Sequence, residues 1–283
     1  MPKRPPPLHD RPSTIAEALE RAALAIRDQR LAEAERLAAA VLKSNPVHVP
    51  AAQLLGQALL LQGRAQDALE PLRRAARRSR DPALETLLAR ALSDAGQGEA
   101  ALDQLRQATT RRPAYPLAFL ELGDQLGKLG RLDEALAVFE AGLALSPQAA
   151  VLRVGLGYLH LARNDRASAR ALFLAVREAA PERQDALVAL ANVLALDGDD
   201  AAAAELYRQA LAKRPDDAAT RIGLGKCLLE MGDRDAGEAA LRAAARGGAQ
   251  MAGPALAALA ATAHGRFFLR PSDAAKFLNA PTA

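Results

Sequence analysis

The stretch FLELGDQLGKLGRLDEALAVFEAGLALSP, from Phe119 to Pro147, carries the pattern that decides the fold. Two small residues, Gly123 and Ala135, stand on either side of Gly130, and leucine and phenylalanine fill the positions between them. Such a pattern is typical of two short helices that approach closely at their small residues and are joined by a glycine turn. Because proline does not continue a helix, Pro147 marks the end of the pair.

The same pattern recurs along the chain with a period of 34 residues. Prolines stand at Pro113, Pro147, Pro181 and Pro215, 34 residues apart, and Pro46 fits the same series if the second repeat is one residue shorter. Self-similarity at such a period is the signature of a repeat architecture. The predicted repeats, of which the second is one residue short, begin at Ile15, Val49, Pro82, Pro116, Ala150, Gln184 and Ala218.

Three columns of the aligned repeats carry the prediction. Position 8 is always alanine or glycine, and so is position 20, which faces it from the second helix. Position 15 is the turn between the helices: Gln29, Gly63, Gly96, Gly130, Asn164, Gly198 and Gly232. Glycine makes up only 19 of the 283 residues, so five glycines among these seven places are not a product of composition. A turn that needs a left-handed residue explains them.

These marks resemble the tetratricopeptide repeat (TPR) family, whose W-x-x-L-G-x-x-Y, A-x-x-x-F and P motifs are carried best by residues 119–147. The resemblance covers residues 15 to about 248. It implies an all-α, right-handed superhelical solenoid of about seven helix-turn-helix repeats. The first repeat departs from the pattern at Arg21 and Ala38, as a terminal repeat with one face in solvent can.

The two ends of the chain differ from the repeats. Residues 1–13 predict a disordered leader with no secretory core. Residues 249–283 predict a capping helix, from about Gln250 to Ala263, followed by an aromatic tail. The tail contains Phe267, Phe268 and Phe277, which either pin it to the cap or dock on a partner.

The resemblance implies that ligands lie against the first helices of the repeats, which form a concave wall. Chaperone-tail binding is disfavoured because Arg90 is followed by Glu121 and Asp124, so the wall changes sign. A peptide or helix contacted through apolar side chains fits better. Tyr158 is the expected anchor, unless it only packs between repeats. The predicted groove residues are Gln53, Gln57, Arg90, Glu121, Asp124, Tyr158, Val188, Asn192 and Lys226.

The sequence predicts no enzyme, cofactor or metal site. Four histidines are scattered, the single Cys227 cannot form an internal disulfide, and the glycine pairs near Gly157 and Gly225 fall at packing positions rather than in nucleotide loops. No stretch predicts a membrane span. The net charge of +4 gives no bulk affinity for nucleic acid. A run of arginines, PLRRAARRSRD, is either a solvated face or a contact for an acidic partner or phosphates.

The leading hypothesis is a cytoplasmic, bacterial adaptor that holds a peptide or helix of another protein. One alternative is a structural protein that associates with itself through its ends or its aromatic tail. Another is a non-catalytic accessory subunit of a bacterial enzyme. The sequence alone does not name the partner, because one fold supports many partners.

Overall fold

The computed structural model describes residues 14–268 and 270–279, and the predicted leader lies outside them. The all-α fold predicted from the repeats is confirmed. The helices of the described residues, in chain order, are α1 (Ile15–Arg27), α2 (Leu31–Ser44), α3 (Val49–Leu61), α4 (Ala65–Ala76), α5 (Pro82–Asp94), α6 (Gly98–Thr109), α7 (Pro116–Lys128), α8 (Leu132–Leu145), α9 (Ala150–Ala162), α10 (Arg166–Ala179), α11 (Gln184–Leu196), α12 (Asp200–Lys213), α13 (Ala218–Glu230), α14 (Arg234–Arg246), α15 (Ala252–Ala261) and α16 (Pro271–Asn279).

The helices group into two compact units, one ending at Leu152 and the other beginning at Arg153. Within the N-terminal unit, each odd-numbered helix packs against the even-numbered helix that follows it, and both helices of a pair pack against the first helix of the next pair. Within the C-terminal unit, α11 to α14 pack in the same way. Each unit is therefore a run of helix pairs whose apolar faces are buried by their neighbours.

Every turn between the two helices of a pair contains one residue in the left-handed region. The φ angles are +59° at Gln29, +61° at Asn164 and between +73° and +84° at the five glycines of position 15. This confirms the role predicted for that column. Gln29 and Asn164 adopt a conformation that costs a side chain about 1 kcal/mol, so these two turns are more strained than the glycine turns.

The small residues lie where helices approach each other. A methyl group added at Gly123 would lie 2.5 Å from Cζ of Phe139, which is 1% exposed. In the C-terminal unit, a methyl group at Gly237 would lie 3.0 Å from the carbonyl oxygen of Gly225. The large residue of the second helix thus fills the space that the small residue of the first helix leaves.

The C-terminal end has the predicted cap. Helix α15 places Ala255, Ala258 and Leu259 against Leu229 of α13 and Leu241 of α14, and all five are buried. The cap thereby covers apolar surface of the last repeat.

The aromatic tail divides into packed and exposed side chains. Phe268 and Phe277 pack on the same core with ring centroids 5.2 Å apart. The guanidinium groups of Arg242 and Arg266 lie 5.0 Å and 5.8 Å from the centre of the Phe277 ring. Phe267 is 75% exposed. Two of the three phenylalanines therefore pin the tail, and the third does not.

Candidate functional site

The N-terminal unit carries an open depression of about 630 Å³ along its first helices. Four leucines line it, one from the first helix of each of four consecutive repeats (α1, α3, α5 and α7): Leu19, Leu54, Leu87 and Leu117. Tyr115, at the N-terminus of α7, completes the apolar part. The repeat places these side chains on one wall because each first helix presents the same face as the preceding one.

Predicted polar residues lie among these leucines. Gln53, Gln57, Arg90 and Glu121 all line the depression. Gln53 differs from the others because its amide nitrogen donates a hydrogen bond to Oδ2 of Asp81 at 3.0 Å. Asp81 caps α5 by accepting from the backbone N–H of Ala83 at 2.9 Å. Gln53 therefore links two repeats, while Gln57 is exposed and open to a ligand.

The charges of this wall change sign from one repeat to the next. Arg90 is exposed on α5, whereas Glu121 and Asp124 lie on α7. The Asp124 residue is exposed, but neighbouring protein atoms displace part of the water around its carboxyl group. This desolvation, together with the negative charge of Glu121 and against the positive charge of Lys128, raises the pKa of Asp124 to about 6.

In the C-terminal unit, Tyr158 and Asn192 form a hydrogen-bonded chain with Tyr207. The Tyr207 hydroxyl donates to Oδ1 of Asn192 at 2.5 Å, and the Asn192 amide nitrogen lies 3.5 Å from the Tyr158 hydroxyl. The Tyr158 ring also packs on Phe173, with centroids 5.3 Å apart and planes tilted by 59°. Burial raises the pKa of Tyr158, and its bond to Asn192 offsets part of that shift.

A second depression of about 670 Å³ lies between α11 and α13. Asn192 and Lys226 line it, together with Leu196, Ile222 and Cys227. Burial is the main cause that raises the pKa of the Cys227 thiol to about 12, and the nearby carboxyl group of Asp200 adds to the rise. A thiol held protonated in this way is a packing group rather than a nucleophile.

Of the nine predicted groove residues, six therefore line one of two separate depressions. Four belong to the N-terminal unit and two to the C-terminal unit. Asp124, Tyr158 and half-buried Val188 line neither. The prediction missed Tyr115 and all four leucines of the N-terminal depression, because it selected mainly polar residues of the wall. Tyr115 precedes the helix, where a pattern based on helical faces gives no signal.

The described residues contain no group of three histidine, cysteine or acidic side chains arranged to hold a metal ion. Among them, no helix is long and apolar enough to cross a membrane.

A comparison with curated proteins found no match. Among solved structures, a thermophilic TPR protein of Thermus thermophilus is 26% identical, with a TM-score of 0.56, over 64% of this chain and 99% of that one. A tetratricopeptide repeat protein from Parabacteroides merdae is 18% identical, with a TM-score of 0.62, over 83% of this chain and 93% of that one. Human IFIT1, solved as a dimer with m7Gppp-AAAA, is 15% identical, with a TM-score of 0.68, over 90% of this chain and 65% of that one. The last two show a likeness of fold alone.

Two family models of the tetratricopeptide repeat match the sequence. One matches residues 19–82 and 86–150, and the other matches residues 126–193 and 194–262. The matches span the helix pairs, their turns and the cap. Repeats of this family generally serve as protein-interaction modules, and most are not catalytic. The chain belongs to the tetratricopeptide repeat family.

Proposed function

We propose that this protein is an adaptor that binds a peptide or helical segment of a partner protein along the first helices of its N-terminal unit. The single observation that supports it is the row of four leucines, Leu19, Leu54, Leu87 and Leu117, along one open depression. Apolar side chains in solvent-open surroundings gain free energy when a partner covers them. The single cysteine, Cys227, cannot form an internal disulfide, which suits a reducing compartment, and the proposed location is therefore the cytoplasm.

The polar residues of the depression would set the orientation of the segment. Gln57 has both a donor and an acceptor for the backbone of a ligand. Arg90 and Glu121 offer charges of opposite sign on neighbouring repeats, so a segment with matching charges binds in one direction only. Tyr115 adds a large ring with few rotamers, which is a common anchor in interfaces.

Affinity capture from the native cell lysate tests this proposal. The groove variant is Gln57→Ala, Arg90→Ala, Glu121→Ala. Its matched control is Gln66→Ala, Arg106→Ala, Glu140→Ala, which removes the same three residue types from exposed places on the second helices of the same repeats. A partner that is lost from the groove variant and kept by the control supports the proposal. Equal capture by both variants contradicts it.

One observation favours self-association as a second candidate. Phe267 is 75% exposed beside a tail whose other phenylalanines are packed. A second copy that covers this ring would remove its apolar surface from water. Light scattering over a range of concentrations tests this candidate: the mass of the wild type should rise with concentration, and the mass of Phe267→Ser should not. A constant monomer mass for both proteins would exclude it.

A further inference from the structure

Five arginines surround a depression of about 450 Å³ that is separate from the groove. Arg73 lies at the end of α4, and Arg77, Arg78 and Arg80 lie in the segment after it. The fifth, Arg111, lies in the segment after α6. Gln104, Gln107 and Ser79 contribute polar groups to the same wall. None of the residues that line this depression lines the leucine depression. The sequence run of arginines is therefore folded into a concave basic surface.

Among the residues that line this depression, only one carboxylate faces the five cations. Glu85 is 3% exposed and accepts hydrogen bonds from Arg111, with Nε to Oε2 at 3.0 Å and Nη2 to Oε1 at 2.6 Å. The charges of Arg111 and Glu85 therefore balance each other. Arg73 donates to the neutral amide oxygen of Gln97 at 2.9 Å, so its charge stays unbalanced.

The other three arginines have no side-chain partner in the part of the chain that the structure describes. Within the described residues, Arg77, Arg78 and Arg80 make no hydrogen bond or ion pair through their side chains, and all three are exposed. Two nearby arginines on the same second helices are paired, Arg74 with Glu70 and Arg106 with Asp103. Four unbalanced positive charges thus surround one small depression in a chain whose net charge is only +4. Concentrated charge of one sign in a cleft attracts a ligand of the opposite sign.

The arrangement suits several carboxylates on one segment. Arg73 lies in the last turn of α4 and Arg77 is its C-terminal cap, one turn further on, so their side chains are about 5 to 6 Å apart at Cβ. In an extended segment, the side chains on one face are about 6 to 7 Å apart, which is close to this spacing. Guanidinium groups bind carboxylates through two parallel hydrogen bonds. None of the lining residues is aromatic. Sites for single-stranded nucleic acid usually contain aromatic rings on which the bases stack, so this depression fits a nucleic acid less well than an acidic peptide.

We propose that this basic depression of repeats two and three binds an acidic segment of a partner protein, at a second site distinct from the groove. The two anchored arginines, Arg73 and Arg111, are already held in place by Gln97 and Glu85. Binding therefore orders only the three exposed side chains, which keeps the entropy cost low. The site lies on the α4 and α6 side of the unit, so it works whether or not the leucine depression is filled.

Fluorescence anisotropy with a short labelled peptide of alternating Glu and Ser tests the site, beside the same peptide with Gln in place of Glu. The site variant is Arg77→Gln, Arg78→Gln, Arg80→Gln. The control variant is Arg208→Gln, Arg214→Gln, Arg246→Gln, which removes the same charge from exposed arginines of the C-terminal unit. Circular dichroism checks that both keep their helix content.

The Glu peptide should bind the wild type and the control alike, while the site variant should lose at least about tenfold in affinity. The Gln peptide should not bind. Equal weakening in both variants would reduce the effect to net charge and overturn the site. Absence of Glu-peptide binding would also overturn it. Tighter binding of a single-stranded RNA of equal charge, lost in the site variant, would overturn the assignment to a protein partner.

Discussion

Replacement of Gly123 by alanine tests whether the pairing of small and large residues holds a repeat together. The new Cβ would lie 2.5 Å from Cζ and 2.6 Å from Cε2 of Phe139, well inside van der Waals contact. Phe139 is 1% exposed, so its ring has no open space to enter. The helices α7 and α8 must therefore separate, or the ring must leave its preferred rotamer.

The expected cost is the difference between two effects. Overpacking a well-packed core costs about 1 to 3 kcal/mol. Alanine in place of glycine within a helix recovers about 0.5 to 1 kcal/mol. We therefore expect Gly123→Ala to lower the free energy of unfolding by about 1 to 2 kcal/mol. Hydrogen exchange measured on α7 and α8 should show this loss, because it reports the opening of those helices themselves.

Gly98→Ala is the matched control, because a methyl group there meets no atom within 4 Å. It should leave stability unchanged or raise it slightly. The double variant Gly123→Ala, Phe139→Leu should recover stability relative to the sum of the single variants, since repeat three already pairs Ala89 with Leu105. A coupling energy near zero, or a stabilised Gly123→Ala, would refute the pairing of small and large residues.

Three further predictions concern charged and aromatic groups. Glu85→Gln leaves the guanidinium of Arg111 without its buried counter-charge and should lower the midpoint of a urea melt; an unchanged midpoint would contradict this. The pKa of Asp124 is raised from 3.8 to about 6, so the folded state holds a proton that the unfolded chain releases, and this contribution to stability should be lost as the pH rises from about 4 to about 6. Asp124→Asn should remove that dependence, and parallel pH profiles would show that the carboxyl is not its source. Phe277→Ala should speed hydrogen exchange in α16 and leave α8 unchanged, whereas protection of α16 as in the wild type would show that the ring does not anchor the tail.

Much of the fold could be predicted because its determinants are local. A turn that needs a left-handed residue favours glycine or asparagine whatever surrounds it, and Gln29 is the one exception among the seven turns. The first helices begin at Ile15, Val49 and the later positions where the 34-residue period places them. A proline or a capping aspartate near each start acts within one turn, so the sequence carries it directly.

The candidate site could be predicted only in part. The helical face of Gln57 and Arg90 follows from spacing, and both line the depression. Whether a polar side chain is open to a ligand does not follow, because its partner belongs to another repeat. Gln53 bonds Asp81, which is 28 residues away and caps the next repeat, and the Asn192 amide bonds Tyr158 of the preceding repeat. No pattern within one repeat records these bonds.

The arginine run shows the same division. By itself, the sequence determined that helix pairs stack with a period of 34 residues, because size limits and turn conformations are properties of single positions. The sequence also placed Arg77, Arg78 and Arg80 in one short run, without deciding between a solvated face and a binding site. Only the tertiary structure brought Arg111 and Glu85, 26 residues apart, together at this depression and left Arg77, Arg78 and Arg80 without a partner among the described residues. Ion pairs act through space over a few ångströms, so the free charges of a repeat depend on what the neighbouring repeat presents.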